Sequence, residues 1–126
     1  MVYTVFVDRF RRAGGWGGDP GWARERRAGG DLDGIALALP YLVELGVTAL
    51  HLTPIGVAPS AHRYDAIDPR AVDPELGGDV AFARLIAAAH DRGVRVIVDV
   101  AATHLHRDAA PFRDVRDRGP ASPYWR

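Results

Sequence analysis

The strongest constraint in this chain is an alternation. Three short β-rich runs, Val2-Tyr3-Thr4-Val5-Phe6-Val7, Val47-Thr48-Ala49-Leu50-His51-Leu52 and Val94-Arg95-Val96-Ile97-Val98, are separated by segments of helical period. Uninterrupted apolar runs suit strands covered on both faces. Strands that alternate with helices give a parallel sheet, because each parallel neighbour needs a crossover long enough to hold a helix. The spacing predicts a first helix over 34–45, with Asp33 as N-cap, Ile35, Leu37, Leu39, Leu42 and Leu45 on its apolar face, and Gly46 ending it. Pro40 must sit inside that helix or kink it. A second helix is predicted over 80–92, capped by Asp79, with Phe82, Leu85, Ile86 and Ala89 on one face and Gly93 at its end. Residues 11–30 and 55–78 read as long Gly- and Pro-containing loops. Residues 104–126 read as an irregular polar tail anchored by Phe112, Tyr124 and Trp125.

Composition narrows the function. The 126 residues suit one compact domain, and 48% hydrophobic with 25% charged residues is the globular range. Sixteen basic and sixteen acidic residues give no net charge, so the electrostatic footprint of a nucleic-acid binder is missing. There is no apolar run of about 18 residues to span a membrane. Met1 leads directly into a strand-like segment, so a signal peptide is not expected and the location expected is cytoplasmic. Zero cysteines exclude a disulfide scaffold, a thiolate metal site and a Cys nucleophile. Every basic residue is Arg, and the chain has no Lys, Asn or Gln. Chemistry that needs a Lys amine or a neutral side-chain amide is therefore closed to these residues.

Ligands of parallel sheets bind beyond the carboxyl ends of the strands. After the third run come Asp99 and, five residues on, His104, an acceptor and a donor suited to a substrate hydroxyl. The alternative is a turn cap and a solvated loop residue. His104-Leu105-His106 also has the spacing of a zinc-binding pair, with Asp99 or Asp108 as a possible third ligand, which would suit a metallohydrolase. After the second run comes Pro59-Ser60-Ala61-His62-Arg63-Tyr64-Asp65, where an aromatic face beside polar groups suits a sugar ring. Equally, Tyr64 would serve as a core residue with a satisfied hydroxyl. Asp8-Arg9 reads as a buried ion pair. Gly14 to Asp19 lacks the pattern of a phosphate loop, and Trp16 and Trp22 are loop aromatics. Only Ser60 and Ser122 are serines, and neither lies in a nucleophile elbow.

Five motifs, taken in order, resemble the α-amylase superfamily of glycoside hydrolases, with the nearest likeness in its neopullulanase, cyclomaltodextrinase and maltodextrin glucosidase branch. They are Val5-Phe6-Val7-Asp8-Arg9-Phe10, Gly29-Gly30-Asp31-Leu32-Asp33-Gly34-Ile35, Leu45 through Ile55, Ala58 through Asp65, and Val96-Ile97-Val98-Asp99 through His104. Asp114-Val115 and Gly119 through Tyr124 also resemble the start of that branch's inserted domain. The resemblance implies a partial (β/α)8 barrel: strands one to three with two helices in residues 1–104, and the start of inserted domain B in 105–126. It implies that Tyr64 stacks on the sugar just before the scissile bond and that His62 and His104 bind its hydroxyls. Asp99 would support the site, and Asp65 belongs to the Tyr-Asp motif. The substrate class implied is an α-1,4-glucan or maltooligosaccharide, and no cofactor is expected.

Two departures matter. The family's strand-three motif usually ends in Asn-His, and that Asn often helps hold a structural calcium. Here Thr103 stands before His104 and the chain contains no Asn, which argues against the calcium site. The family's nucleophilic Asp, its acid/base Glu and a further essential Asp lie after strands four, five and seven, and none has a match here. Retaining hydrolysis needs two carboxylates about 5 Å apart. These residues are therefore expected to bind substrate without cleaving it, as part of a longer enzyme left by a truncated reading frame, and to be inactive alone. A non-catalytic sugar-binding module is the other reading. Strands one and three of such a barrel would leave two open edges, which invite pairing with another chain.

Overall fold

The computed structural model describes residues 1–15 and 26–125. Trp16, Trp22 and the Gly17-Gly18-Asp19 part of the glycine-rich run lie outside the described residues. A three-stranded parallel sheet has the order β1 (Val2–Val5), β2 (Ala49–Leu52), β5 (Arg95–Val98), with β2 in the centre. Between β1 and β2 the chain forms one helical turn, α1 (Val7–Phe10), and then α2 (Leu32–Glu44). Between β2 and β5 it forms an antiparallel hairpin of β3 (Gly56–Val57) and β4 (Asp68–Val72), a 3-10 turn over Pro74–Leu76, and α3 (Gly78–His90). After β5 come α4 (Ala110–Arg118) and a 3-10 turn over Gly119–Ala121. Among the described residues no helix is long and apolar enough to cross a membrane.

The register explains which face is the core. Tyr3, Leu50 and Val96 form one cross-strand row and Val5, Leu52 and Val98 another. These rows face α2 and α3, where Leu32, Ile35, Leu39, Leu42, Leu85 and Ala89 are fully buried. The intervening row of Thr4, His51 and Ile97 points to the other face. Ile97 is 46% exposed there, and Val2 in the next row 61%. The expectation of strands buried on both faces is corrected for the edge strands: α2 and α3 cover one face, while on the other Val2 and Ile97 are exposed and the central Ala49 is buried.

Several local expectations also change. The first strand stops at Val5, because the ladder ends where the Thr53 amide donates to the Val5 carbonyl, and Phe6 opens the α1 turn. The cap of α2 is Asp31, whose carboxylate accepts from the Gly34 amide at 2.6 Å. Starting the helix at Leu32 buries that side chain, which a cap at Asp33 would have left outside. Asp33 instead receives both Nη2 and Nε of Arg84 and ties α2 to α3. The buried positions of α2 are Leu32, Gly34, Ile35, Ala38, Leu39 and Leu42, and Leu37 and Leu45 are exposed. Pro40 lies inside α2 on its exposed side, where water can satisfy the carbonyl it orphans. Asp79 does not cap α3; its carboxylate accepts from the Val72 amide, and Gly77 at φ +101° makes the entry turn.

The tail is ordered rather than irregular. Asp114 accepts the Ser122 hydroxyl at 2.5 Å and Arg118 at 3.3 Å, which fastens the end of α4 to the turn after it. Those bonds hold the Asp114 carboxyl below its ordinary range, the Ser122 bond most. Phe112, Tyr124 and Trp125 do not anchor the tail, since each is at least half exposed.

Two glycines decide how the α1 turn and Arg11 after it meet the start of α2. A Cβ on Gly30 would stand 2.2 Å from the Val7 carbonyl oxygen, and one on Gly34 2.2 Å from that of Arg11. The same close approach lets the Gly30 amide donate to the Asp8 carbonyl and the Asp31 amide to the Arg11 carbonyl. Gly30→Ala and Gly34→Ala are each expected to cost about 3 kcal/mol, the upper end for overpacking. Hydrogen exchange would read this as roughly a hundredfold fall in amide protection of α2. Gly46→Ala, at φ +87° but with open space around it, is expected to cost about 1 kcal/mol. Equal protection in all three variants would contradict this account.

Candidate functional site

A parallel ladder places the carboxyl ends of β1, β2 and β5 along one edge, and the expected site residues follow those ends. Asp99 leaves β5 with its amide bonded to the Leu52 carbonyl at 2.9 Å, so its backbone is an extension of the sheet. The Tyr64 hydroxyl, in the loop after β2, donates to Asp99 Oδ2 at 2.5 Å. This bond joins two loops that are 35 residues apart in the chain. Tyr64 is 37% exposed, so its hydroxyl is held while its ring faces solvent.

The rest of the loop is built around Ser60. Its hydroxyl donates to the Asp65 carboxylate, lies 3.2 Å from His62 Nδ1 and accepts from the Arg63 amide at 3.1 Å. The Tyr64 amide in turn donates to His62 Nδ1 at 3.1 Å. The His62 and Tyr64 rings lie 5.9 Å apart, tilted by 32°, as one exposed pair. Asp65 is half-buried, with an oxygen 4.0 Å from His62 Nδ1.

His104 is not brought into this cluster. It is exposed in the loop after β5, with Nδ1 3.2 Å from the Thr103 hydroxyl. His106 is turned elsewhere: its amide bonds the Ala66 carbonyl, and its Nδ1 accepts from the Asp108 amide. Among the described residues, no three His, Asp or Glu side chains are grouped to hold a metal ion. The zinc constellation is therefore not assembled.

Three features escaped the sequence reading. Arg63, between His62 and Tyr64, is 1% exposed and takes a left-handed backbone at φ +58°. Its Nε donates to Asp73 at 3.0 Å and its Nη1 to the Ala61 carbonyl at 3.0 Å. Arg27 reaches the same loop from elsewhere, donating to the Ala58 carbonyl at 2.6 Å and to Asp73 and Glu75. Asp8, read as an ion pair with Arg9, does lie 3.4 Å from Arg9, but it also accepts the Ala28 and Gly29 amides at 2.8 and 3.3 Å. A small cavity of about 40 Å³ beneath the site is lined by Arg63, Ala66, Val98 and Asp99 among others. A wider groove of about 570 Å³ lies between α2 and α3, on the helical layer away from the strand ends.

The Tyr64–Asp99 bond leaves a measurable trace. Accepting this bond, Asp99 raises the Tyr64 phenol above its ordinary value of 10.0, with partial burial and the Asp99 charge adding to the effect. The neutral phenol is the donor, so the tie is complete below pH 10 and is lost as pH rises through the raised value. In ring-carbon NMR, Tyr64 is expected to ionise above 10.0, and Asp99→Ala to bring it back toward that value. An unchanged titration in Asp99→Ala would contradict the geometry.

Comparison with known proteins identifies the family. The family "Alpha amylase, catalytic domain" matches residues 4–126. Neopullulanase 2 of Thermoactinomyces vulgaris is 41% identical over 133 residues, which cover 98% of this chain and 23% of that protein. Cyclomaltodextrinase of Thermoanaerobacter pseudethanolicus is 38% identical over 133 residues, covering 99% and 23% respectively. The solved structure of a cyclic α-maltosyl-(1→6)-maltose hydrolase of Arthrobacter globiformis superposes with a TM-score of 0.88 at 36% identity. That superposition covers 98% of this chain and 30% of the other. The chain thus spans less than a third of the length of these relatives. Its parallel strands, with their helices on one face and their site loops at the carboxyl edge, are part of a (β/α)8 barrel, and the chain belongs to the α-amylase catalytic-domain family.

Proposed function

We propose that this chain forms one wall of the substrate cleft in a glycoside hydrolase acting on α-1,4-glucans of maltodextrin type. The observation that carries this reading is the Tyr64 ring, exposed at the carboxyl edge of the sheet while its hydroxyl is fixed on Asp99. A pyranose has an apolar face that stacks on an aromatic ring and hydroxyls that need directed partners. Tyr64 supplies the platform and His62, beside it, reads a hydroxyl. Asp99 locks the platform, and Asp65 holds the loop through Ser60. His104 would approach the same sugar from the loop after β5. The names of the relatives, neopullulanase and cyclomaltodextrinase, support an α-glucan substrate.

Bond cleavage is assigned to polypeptide outside these residues. In a retaining hydrolase one carboxylate attacks the anomeric carbon while a carboxylic acid protonates the leaving oxygen, and water then releases the glycosyl-enzyme. In this chain the two carboxylates of the site are both engaged, Asp99 by Tyr64 and Asp65 by Ser60. Residues 1–104 are read as barrel and residues 105–126, with α4, as the beginning of the inserted domain. A cytoplasmic location is inferred, supported by a relative named intracellular maltogenic amylase from Bacillus subtilis.

The test is kinetic, in the glycosidase that contains this segment. Tyr64→Ala is expected to lower kcat/KM on maltotriose by at least about fivefold, because an aromatic platform contributes on the order of 1 kcal/mol or more. Unchanged kinetics would remove Tyr64 from the substrate site and with it the main support for this reading.

A further inference from the structure

Between His62 and Tyr64 in the chain stands a residue whose side chain has no reason to be buried except a structural task. Arg63 has His62 on one side and Tyr64 on the other, yet its own side chain runs inward to 1% exposure. Arginine is almost never fully buried unless it is paired. A left-handed backbone at a residue with a side chain persists only where the surroundings over-determine it. Arg63, at φ +58°, is the one non-glycine residue with positive φ among the described residues.

The surroundings that determine it can be named. Asp73, 4% exposed, is the post to which the guanidinium is fixed. Asp73 is itself held at the base of the β3–β4 hairpin, where its amide bonds the Ile55 carbonyl at 2.8 Å and its carboxylate caps the Glu75 amide at 2.9 Å. From that post the Arg63 fork reaches back to the Ala61 carbonyl, and a Glu75 oxygen lies 3.8 Å from Nη2. Arg27 grips the Ala58 and Pro59 carbonyls of the same loop from the other side. The planar guanidinium offers several donors in a fixed fork, which a lysine ammonium does not.

We propose that Arg63 is a positioning residue: its buried pairing with Asp73 sets the turn that holds the His62 and Tyr64 rings side by side and brings the Tyr64 hydroxyl to Asp99. Its relevance to sugar binding rests on the function proposed above, but the geometry it controls does not. The route runs from the hairpin base through Asp73 and Arg63 to Tyr64, and ends on the carboxylate at the end of β5. Arg63 and Asp99 line the same small cavity.

Two substitutions separate the side chain from the backbone. Arg63→Gly removes the guanidinium and suits the left-handed backbone, so a role in backbone conformation alone would leave it tolerated. Arg63→Lys keeps a cation for Asp73 but loses the fork to Ala61. The readouts are the ring-carbon titration of Tyr64 and hydrogen exchange at the Tyr64 amide, with α2 amide protection as the fold control. In Arg63→Gly, Tyr64 is expected to lose its upward displacement and its amide to exchange at least tenfold faster, while α2 stays protected. Arg63→Lys is expected to fall between Arg63→Gly and the parent. Should Arg63→Gly also lose α2 protection, Arg63→Lys decides alone. Parent-like Tyr64 behaviour in the variant that decides overturns the proposal. Neither readout needs a sugar, so the proposal can stand or fall separately from the kinetics of Tyr64→Ala.

Discussion

Everything at this site depends on the parallel ladder. Parallel strands point the same way, so β1, β2 and β5 deliver their following loops to one edge. Residues far apart in sequence then become neighbours without any long-range device beyond backbone hydrogen bonding. The outward rows of the sheet supply the burial that stabilises it, against α2 and α3. The site itself therefore carries little of the folding load, and its side chains are free to be polar and half-exposed.

The ladder alone would leave the loops slack, and three kinds of restraint stiffen them. Close backbone approach at Gly30 and Gly34 seats α2 against the α1 turn and Arg11, with Asp8 accepting the amides just before that seat. Buried charge pairs at Asp73 hold the loop after β2 from beneath. The Tyr64–Asp99 bond then closes the loop onto the next strand. The restraints have different costs. A buried cation paired in good geometry is expensive to break, since removing one partner leaves the other desolvated. The glycine contacts fail through steric overlap, and the phenol bond fails through ionisation.

Much of this was legible in the sequence because it follows from periodicity. The three strands, the two long helices, the glycine stops at Gly46 and Gly93 and the strand-end placement of Asp99 were all readable. The pairing of Tyr64 with Asp99 was not spelled out by spacing, although both stood at strand ends. Arg63 was invisible because a charged residue in a loop reads as solvated, and its only clue was the acids Asp73 and Glu75 some ten residues on. Asp31 lost the cap to Asp33 in the reading because both precede the helix, and only the burial of Leu32 decides between them. The β3–β4 hairpin and α4 were missed for opposite reasons. The strands are too short to show alternation, and α4 is so polar that none of its residues is buried. His104 stands where the motif places it, and its hydrogen bond among the described residues is to Thr103.

The central proposal is a division of labour, in which these residues hold a sugar and the carboxylates that break its bond belong to other polypeptide. The direct measurement is release of reducing ends from maltodextrin by the purified 126-residue chain, freed of contaminating glycosidases. The account predicts no release above the protein-free control. Steady release that follows the chain through purification and disappears in Tyr64→Ala would contradict it.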